Sequence, residues 1–229
     1  MGVGISGMHP KLTCCVASAT IHAMHALQFV QEFATFTGQD YASLRVIDRA
    51  LAERGLRAKA KGKRLPDVTL GEGVMFLLAV LANTQPTRAA EAALELAQSY
   101  CFSAPRHRNR KSLAMLTRMT GLPVTEWSGP KMRPPPRISA SLINVVATLC
   151  RPRPGGRWAE LSVQRDGPAF LAFGQADSDN HGELRFDNPN KVREPKSLIE
   201  TRTAMPDLLR WIGENTVDEA PDWPSKRRD

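Results

Sequence analysis

The first hundred residues carry apolar side chains at helical spacing. The stretch 24–35, MHALQFVQEFAT, places them at intervals of three with further apolar residues alongside, which predicts a short helix. Gly38 interrupts this pattern in FTGQD and suits the positive φ of a tight turn. A second amphipathic stretch, DYASLRVIDRALAERG, follows from about Asp40. The pattern therefore predicts a helix, a short turn and a second helix.

Residues that begin and end helices set the boundaries of these elements. Asp40 is a suitable N-cap for the second helix, and Gly55 ends it. Thr69 and Glu72 fit the S/T-x-x-E capping box, so a third helix begins directly after Thr69. The stretch NTQPTRAAEAALELAQSY predicts a further helix, with Pro86 near its first turn.

The second half of the chain changes from helical spacing to alternation. Residues 138–149, ISASLINVVATL, still predict a helix, but RWAELSVQRDGPAFLAFG alternates apolar and polar positions. The Asp166–Gly167 dipeptide between its two halves predicts a β-hairpin. GELRFDN and SLIETRTAM are candidates for a third and a fourth strand, and Pro206 opens a last helix.

These elements predict a mostly α protein with a small α+β C-terminal part. The N-terminal part would be a winged helix-turn-helix-like domain, and the C-terminal part would contain the hairpin. A proline-rich, cationic stretch, SGPKMRPPPR, is the best linker between them. The predicted divisions are a disordered leader at 1–20, a helical region at 21–127, the linker at 128–137, the α+β domain at 138–217 and a tail at 218–229.

The distribution of charge along the chain separates the same two parts. The chain has a net charge of +8. Residues 1–137 contain 18 lysines and arginines against nine acidic residues, whereas residues 138–229 contain 13 against 14. The basic excess of the first part indicates that it binds a polyanion and that the second part does something else. The alternative is two solvated surfaces of different charge.

Several classes of protein are disfavoured by the sequence. No apolar run is long enough to cross a membrane, and the four cysteines, which include the adjacent pair Cys14 and Cys15, do not form a disulfide framework. A reducing cytoplasm is therefore expected. His22 and His25 could join these cysteines around zinc, but the spacing does not suit the metal. No catalytic motif, cofactor site or metal site is predicted, so the protein is not expected to be an enzyme.

The order helix, turn, helix, basic loop, helix is that of a winged helix-turn-helix, whose second helix enters the major groove. The outward side of this helix and the residue before its cap carry side chains that hydrogen-bond to base edges. The candidates for base contacts are Gln39, Tyr41, Ser43, Arg45 and Arg49. Two acidic residues lie among them. Asp40 or Asp48 would act as a cap, and the other would pair with Arg45 or Arg49.

The loop after the second helix, GLRAKAKGKRLPDVT, is strongly basic. In a strand, Lys59, Lys61 and Lys63 would share one face, and the small residues between them would let the backbone approach a phosphate ridge. The candidates for phosphate contacts in this predicted wing are Arg57, Lys59, Lys61, Lys63 and Arg64. A lysine-rich loop with no partner other than water remains the alternative.

Residues 36–82, FTGQDYASLRVIDRALAERGLRAKAKGKRLPDVTLGEGVMFLLAVLA, resemble the N-terminal region of poorly characterised bacterial and prophage proteins. Those proteins have a helix-turn-helix, then GL, a stretch rich in glycine, lysine and arginine, and an apolar helix that starts at threonine. The loop of this chain contains less glycine than theirs. The resemblance implies DNA binding and a bacterial or phage setting, and it does not extend to the C-terminal half.

Together these features predict a sequence-specific duplex DNA-binding protein, a bacterial or phage-type transcriptional regulator. RNA binding is a variant of this prediction. A homodimer is expected if the operator is two-fold symmetric, although no heptad repeat is present. No membrane partner is predicted, and the sequence identifies no small-molecule effector. The alternative function is a protein–protein adaptor or phage-type inhibitor of a host complex that uses the basic face.

Overall fold

A computed structural model describes residues 24–59, 65–82, 84–103, 137–150, 156–176, 181–188 and 200–217. Within these ranges the chain forms six α-helices and one five-stranded antiparallel sheet. The elements in chain order are α1 Ala26–Thr37, α2 Tyr41–Glu53, α3 Leu70–Leu81, α4 Ala89–Ala97, β1 Tyr100–Ser103, α5 Ile138–Leu149, β2 Arg157–Gln164, β3 Ala169–Gln175, β4 His181–Asp187, β5 Thr201–Ala204 and α6 Pro206–Glu214. A 3-10 turn, Pro86–Arg88, leads into α4.

Helices α1 and α2 form around the predicted turn. Gly38 has a φ of 67°, a left-handed conformation that costs glycine little. Asp40 is the N-cap of α2, where its carboxylate accepts the Ser43 backbone N–H at 2.8 Å. Gly55, with a φ of 70°, follows the last turn of α2. The predicted boundaries of α2 are confirmed, while α1 begins two residues later than the apolar pattern indicated and is capped by His25.

Helix α3 forms the centre of the molecule. Every residue from Leu70 to Leu81 is buried, so this helix is apolar around its whole circumference rather than along one stripe. The predicted capping box is present: Thr69 accepts the Glu72 backbone N–H, and the Glu72 carboxylate accepts the Thr69 backbone N–H at 2.9 Å. A buried helix must satisfy its end groups within the protein, and this box does so at the N-terminus.

The sheet has the strand order β1-β4-β3-β2-β5. The predicted hairpin is confirmed as β2 and β3, with Leu161 opposite Leu171 and with Asp166 in its turn at a φ of 52°. The third and fourth predicted strands are β4 and β5, although β5 is only four residues long. Strand β1 was not predicted, since YCFS is too short to show alternation and its partners, β4 and Arg137, are distant in the chain.

A single hydrophobic core joins the two parts that the sequence analysis separated. The Trp211 ring in α6 lies 5.2 Å from the Phe29 ring and 5.9 Å from the Phe33 ring, centroid to centroid. Strand β1, from the first part, pairs with β4 in the sheet. Val217 bridges Thr69 at the start of α3. Thus the helical region and the α+β region do not have separate cores, and their elements pack as one body.

Some predicted segments lie outside the described residues. They are the leader at 1–20, most of the linker at 128–137 and the tail at 218–229. The last linker residue, Arg137, is described: it precedes α5 and lies over the Tyr100 ring at 5.7 Å. Among the described helices, none has the length and apolar character that a membrane crossing requires.

Candidate nucleic-acid interface

The outer side of α2 is the most polar helical surface near the turn. Its buried side, which includes Leu44, Ile47 and Leu51, packs on α1, α3 and α4. The residues on the other side, together with Gln39 before the cap, are exposed to solvent: Gln39, Tyr41, Ala42, Ser43, Val46 and Arg49. Arg45 is half-buried and lies over the Tyr41 ring at 6.0 Å. All five candidates for base contacts are therefore on or beside one accessible helical surface.

The two aspartates of this region have different roles. Asp40 caps α2, and hydrogen bonds from the Ser43 hydroxyl and backbone N–H lower the pKa of its carboxyl below the ordinary value. Asp48 faces inward and pairs with Arg57, from the loop, rather than with Arg45 or Arg49 as predicted. The Arg57 Nε lies 2.5 Å from Asp48 Oδ1, and one of its terminal nitrogens lies 3.0 Å from Oδ2.

This pairing engages Arg57, which is one of the five candidates for phosphate contacts. The side chains of Arg57 and Asp48 are 15% and 5% exposed, so the guanidinium cannot reach a nucleic acid without leaving the carboxylate uncompensated. Burial raises the pKa of Asp48, and the nearby positive charge of Arg57 acts against that rise. Arg57 lies in this ion pair because α2 turns Asp48 toward the point where the chain leaves the helix.

Both ends of the basic loop are fixed to the helical core. The Ala58 backbone N–H donates to Glu72 at 2.5 Å, and the Val68 backbone N–H donates to the Met24 carbonyl at 2.8 Å. The backbones of Asp67 and His25 form an isolated antiparallel β-bridge. Among the described residues, therefore, the two flanks of the loop pair with other segments and not with each other.

The basic residues of the predicted wing are only partly described. Lys59 is exposed and lies outside any strand. Lys61, Lys63 and Arg64 lie outside the described residues, so the predicted hairpin with lysines on one face stays a prediction. The anchors at Ala58 and Val68 nevertheless place the start of this segment beside the N-terminus of α3 and its end beside Met24, which precedes α1.

Replacing Glu72 with alanine is expected to lower the free energy of unfolding by about 2 kcal/mol, since it removes the capping box and leaves two backbone donors without their acceptor. Glu72→Gln retains one acceptor oxygen and should lose about half as much. Chemical denaturation measures both effects. Amide hydrogen exchange at Ala58 reports on the loop anchor: exchange in Glu72→Ala as slow as in the wild type would contradict this role.

A cleft of about 800 Å³ opens beside the N-terminus of α2. Its floor is apolar and includes the buried side chains of Phe33, Leu44 and Leu77. Its rim combines the exposed apolar residues Phe36 and Met205 with polar groups. The polar lining consists of Thr37, Gln39, Asp40, Ser43, Thr84, Arg202, Thr203 and Asp207. The ends of α1 and α3, the start of α2, strand β5 and the start of α6 together form this cleft.

The cleft brings together residues that the sequence analysis placed in different domains. Gln39 and Ser43, predicted to contact bases, share it with Thr203 and Met205. Tyr41, Arg45 and Arg49 are not among its lining residues. No local pattern could have identified Thr203 or Met205, because their position beside α2 depends on the packing of the sheet against the helices.

The described residues contain no group of three histidines, cysteines or carboxylates that could hold a metal ion. No protein family, no curated protein and no solved structure matches the chain.

Proposed function

We propose that the protein binds duplex DNA with α2 in the major groove and that it acts as a bacterial or phage-type transcriptional regulator. The observation that carries this proposal is the surface of α2. A short turn at Gly38 and a packed inner side hold the helix against α1, while Gln39, Tyr41, Ser43 and Arg49 are exposed. Glutamine, serine and arginine are side chains that recognise base edges.

The shape of this surface supports insertion into a groove. Ala42 and Val46 are exposed at the middle of the outer side, and both have short apolar side chains that end in methyl groups. Such side chains let the helix approach the base pairs, and methyl groups make favourable contacts with thymine methyls. Arg45 and Arg49 extend from the same side, at positions four residues apart, and are suited to guanine.

The charges of the described residues leave part of the basic excess available for phosphates. Arg57 is engaged with Asp48, and Arg54 forms an exposed ion pair with Glu91. Among the described residues, neither Arg49 nor Lys59 has a carboxylate partner. Lys59 begins the basic loop beside α2, so the remaining cations of this loop would contact the backbone on either side of the groove.

Replacing Arg45 or Arg49 with alanine is expected to weaken binding to the preferred duplex by about 1–3 kcal/mol, because a base contact is lost. Lys61→Ala should weaken binding to all sequences alike and should lower the slope of log affinity against log salt by about 1, because one phosphate contact is lost. Fluorescence anisotropy with a duplex selected from a random pool and with an unrelated duplex measures both effects.

A charge-matched control separates these contacts from the effect of net charge. Arg185 lies on β4, three strands away from β5 and the cleft, with its guanidinium over the Phe170 ring at 5.9 Å. Arg185→Ala should bind both duplexes as the wild type does. Equal weakening by Arg185→Ala and Arg49→Ala would contradict a role for α2. Competition with duplex RNA distinguishes the two nucleic acids, since an A-form major groove does not admit a helix.

A further inference from the structure

Among the described strands, β5 lies at an edge of the sheet, and its side away from β2 faces the cleft. Arg202 and Thr203 are neighbours in this strand, so their side chains lie on opposite faces of the sheet. Both nevertheless line the cleft. A space that touches both faces of one strand must run along the edge of that strand. Within the part of the chain that the structure describes, no segment pairs with this edge.

The register of β5 identifies the backbone groups that point away from β2, and of the residues that carry them Thr203 lines the cleft. The Arg165 backbone N–H donates to the Glu200 carbonyl at 2.8 Å, which makes this a hydrogen-bonded pair at the end of the β2–β5 ladder. In an antiparallel pair such positions alternate, so Arg202 and Ala204 also direct their backbone groups to β2. Thr201 and Thr203 therefore direct their N–H and C=O groups away from β2, along the free edge.

The floor of the cleft continues the core-facing side of the sheet. Arg202 is on that side, where its guanidinium donates to the Val80 carbonyl of α3 at 3.1 Å. Phe33, Leu44 and Leu77 are nearly fully buried beneath the same space. An additional strand beside β5 would thus direct alternate side chains onto an apolar surface. At the rim, Phe36 is 48% exposed and Met205 is 57% exposed, although both are large apolar residues.

The charge at the rim is opposite to that of the protein as a whole. Asp40 and Asp207 are the acidic residues that line the cleft, and both are exposed. Asp207 lies 3.6 Å from the Arg210 guanidinium in an ion pair that leaves 83% of its side chain accessible. The positive charge of Arg202 is directed to Val80 and to Glu200, whose carboxylate lies 4.0 Å away. In a chain of net charge +8, a rim with two carboxylates favours a ligand that carries basic residues beside its apolar ones.

We propose that the cleft is a docking site for an extended peptide of a partner protein that joins the sheet as a strand beside β5. The peptide alternates apolar side chains, which enter the floor, with polar ones, and it has lysine or arginine next to this segment. Its backbone pairs with Thr201 and Thr203. Strand β5 has four residues, so about four residues of the peptide pair with it, over a length of about 13 Å.

The shape of the cleft favours a peptide over a second copy of the chain. The free edge lies between the start of α2 and the start of α6, with Phe36 and Met205 at the opening. A single extended segment fits between these helices. In an edge-to-edge dimer, the β5 edge of the second copy would itself be recessed between its own α2 and α6. Both recessed edges would have to meet in this space. Gln39 and Ser43 would be covered by the bound peptide, so docking would also affect the surface of α2 that we propose for DNA.

A fluorescein-labelled heptapeptide of alternating valine and threonine with lysine at each end tests this proposal with the full-length protein. We expect anisotropy to report binding with a Kd below about 100 µM, and N-methylation of alternate backbone amides to weaken it at least about 10-fold. Glutamate in place of both lysines should weaken it about 5-fold. No binding of the lysine peptide, or equal binding of the N-methylated peptide, would overturn the proposal.

Variants of the protein locate the site. Thr203→Pro removes the outward N–H but keeps the ladder with β2, and Met205→Lys places at the apolar opening a charge that repels the lysines of the peptide. Each should weaken peptide binding at least about 10-fold, whereas Thr203→Val, which replaces the hydroxyl with a methyl group, should not. Wild-type affinity in both Thr203→Pro and Met205→Lys would exclude this cleft. A wild-type dimer that Met205→Lys converts to a monomer would instead assign the edge to a second copy. None of these measurements involves DNA, so they can fail independently of the proposed function.

Discussion

Replacing Arg57 with methionine is expected to lower the free energy of unfolding by about 3 kcal/mol at pH 7, because the carboxylate of Asp48 then remains buried without its partner. Asp48 is on the inner side of α2, where its side chain is only 5% exposed. The double variant Asp48→Asn with Arg57→Met removes the buried charge altogether. It should recover about 2 kcal/mol of the loss, as chemical denaturation would show.

The stability deficit of Arg57→Met should depend on pH. Burial already raises the pKa of Asp48 above 3.8, and loss of the Arg57 charge raises it further. Between 3.8 and that higher pKa, the folded state binds more protons than the unfolded state, so the free energy of unfolding of the variant increases as the pH falls. The difference in free energy of unfolding between the wild type and Arg57→Met should therefore become smaller from pH 7 toward pH 4. If this difference does not change with pH, Asp48 does not carry an uncompensated charge in the variant.

Replacing Trp211 with alanine is expected to lower the free energy of unfolding by about 3 kcal/mol and to shift a single unfolding transition. The indole packs against Phe29 and Phe33 and stacks on the Phe36 ring at 5.6 Å, so it joins α6 to α1. Differential scanning calorimetry measures both the shift and the number of transitions. If the helical and α+β parts were independent, two transitions would appear and the substitution would not affect both.

A second tryptophan provides the control for this experiment. Trp158 is on the outer face of the sheet, where its indole covers Gly174 of the neighbouring strand. Its removal takes away a side chain of the same size outside the shared core. Trp158→Ala is therefore expected to cost less than half as much as Trp211→Ala. If both substitutions lower the free energy of unfolding equally, the α1–α6 contact does not contribute more to stability than the outer face of the sheet does.

The features that could be predicted from the sequence depend on neighbouring residues. Asp40 as an N-cap, the capping box of Thr69 and Glu72, and the turn at Asp166 each involve groups within about four positions of one another. Their hydrogen bonds therefore form regardless of how the rest of the chain packs. For the same reason the boundaries of α2, α3 and the hairpin are confirmed.

The features that could not be predicted depend on tertiary packing. Arg57 was assigned to phosphate because its neighbours are basic, but α2 brings Asp48 within reach of it, and a buried carboxylate needs a cation. The change of spacing after residue 137 indicated two domains, but spacing reports the type of element and not its packing partner. Trp211 contacts Phe29 because α6, from the end of the chain, packs against α1, from its beginning. The cleft beside β5 depends on the same packing of α6 and β5 against the N-terminal helices.

The most direct test of the proposed function is the binding of the full-length protein to a pool of random duplexes of about 20 base pairs, followed by mobility shift at about 50 mM and about 200 mM salt. The proposal predicts a shifted complex at low salt that is strongly weakened at high salt, and an enriched sequence after repeated selection. If no duplex is shifted at the lower salt concentration, even at high protein concentration, α2 and the basic loop do not bind DNA and the proposed function is wrong.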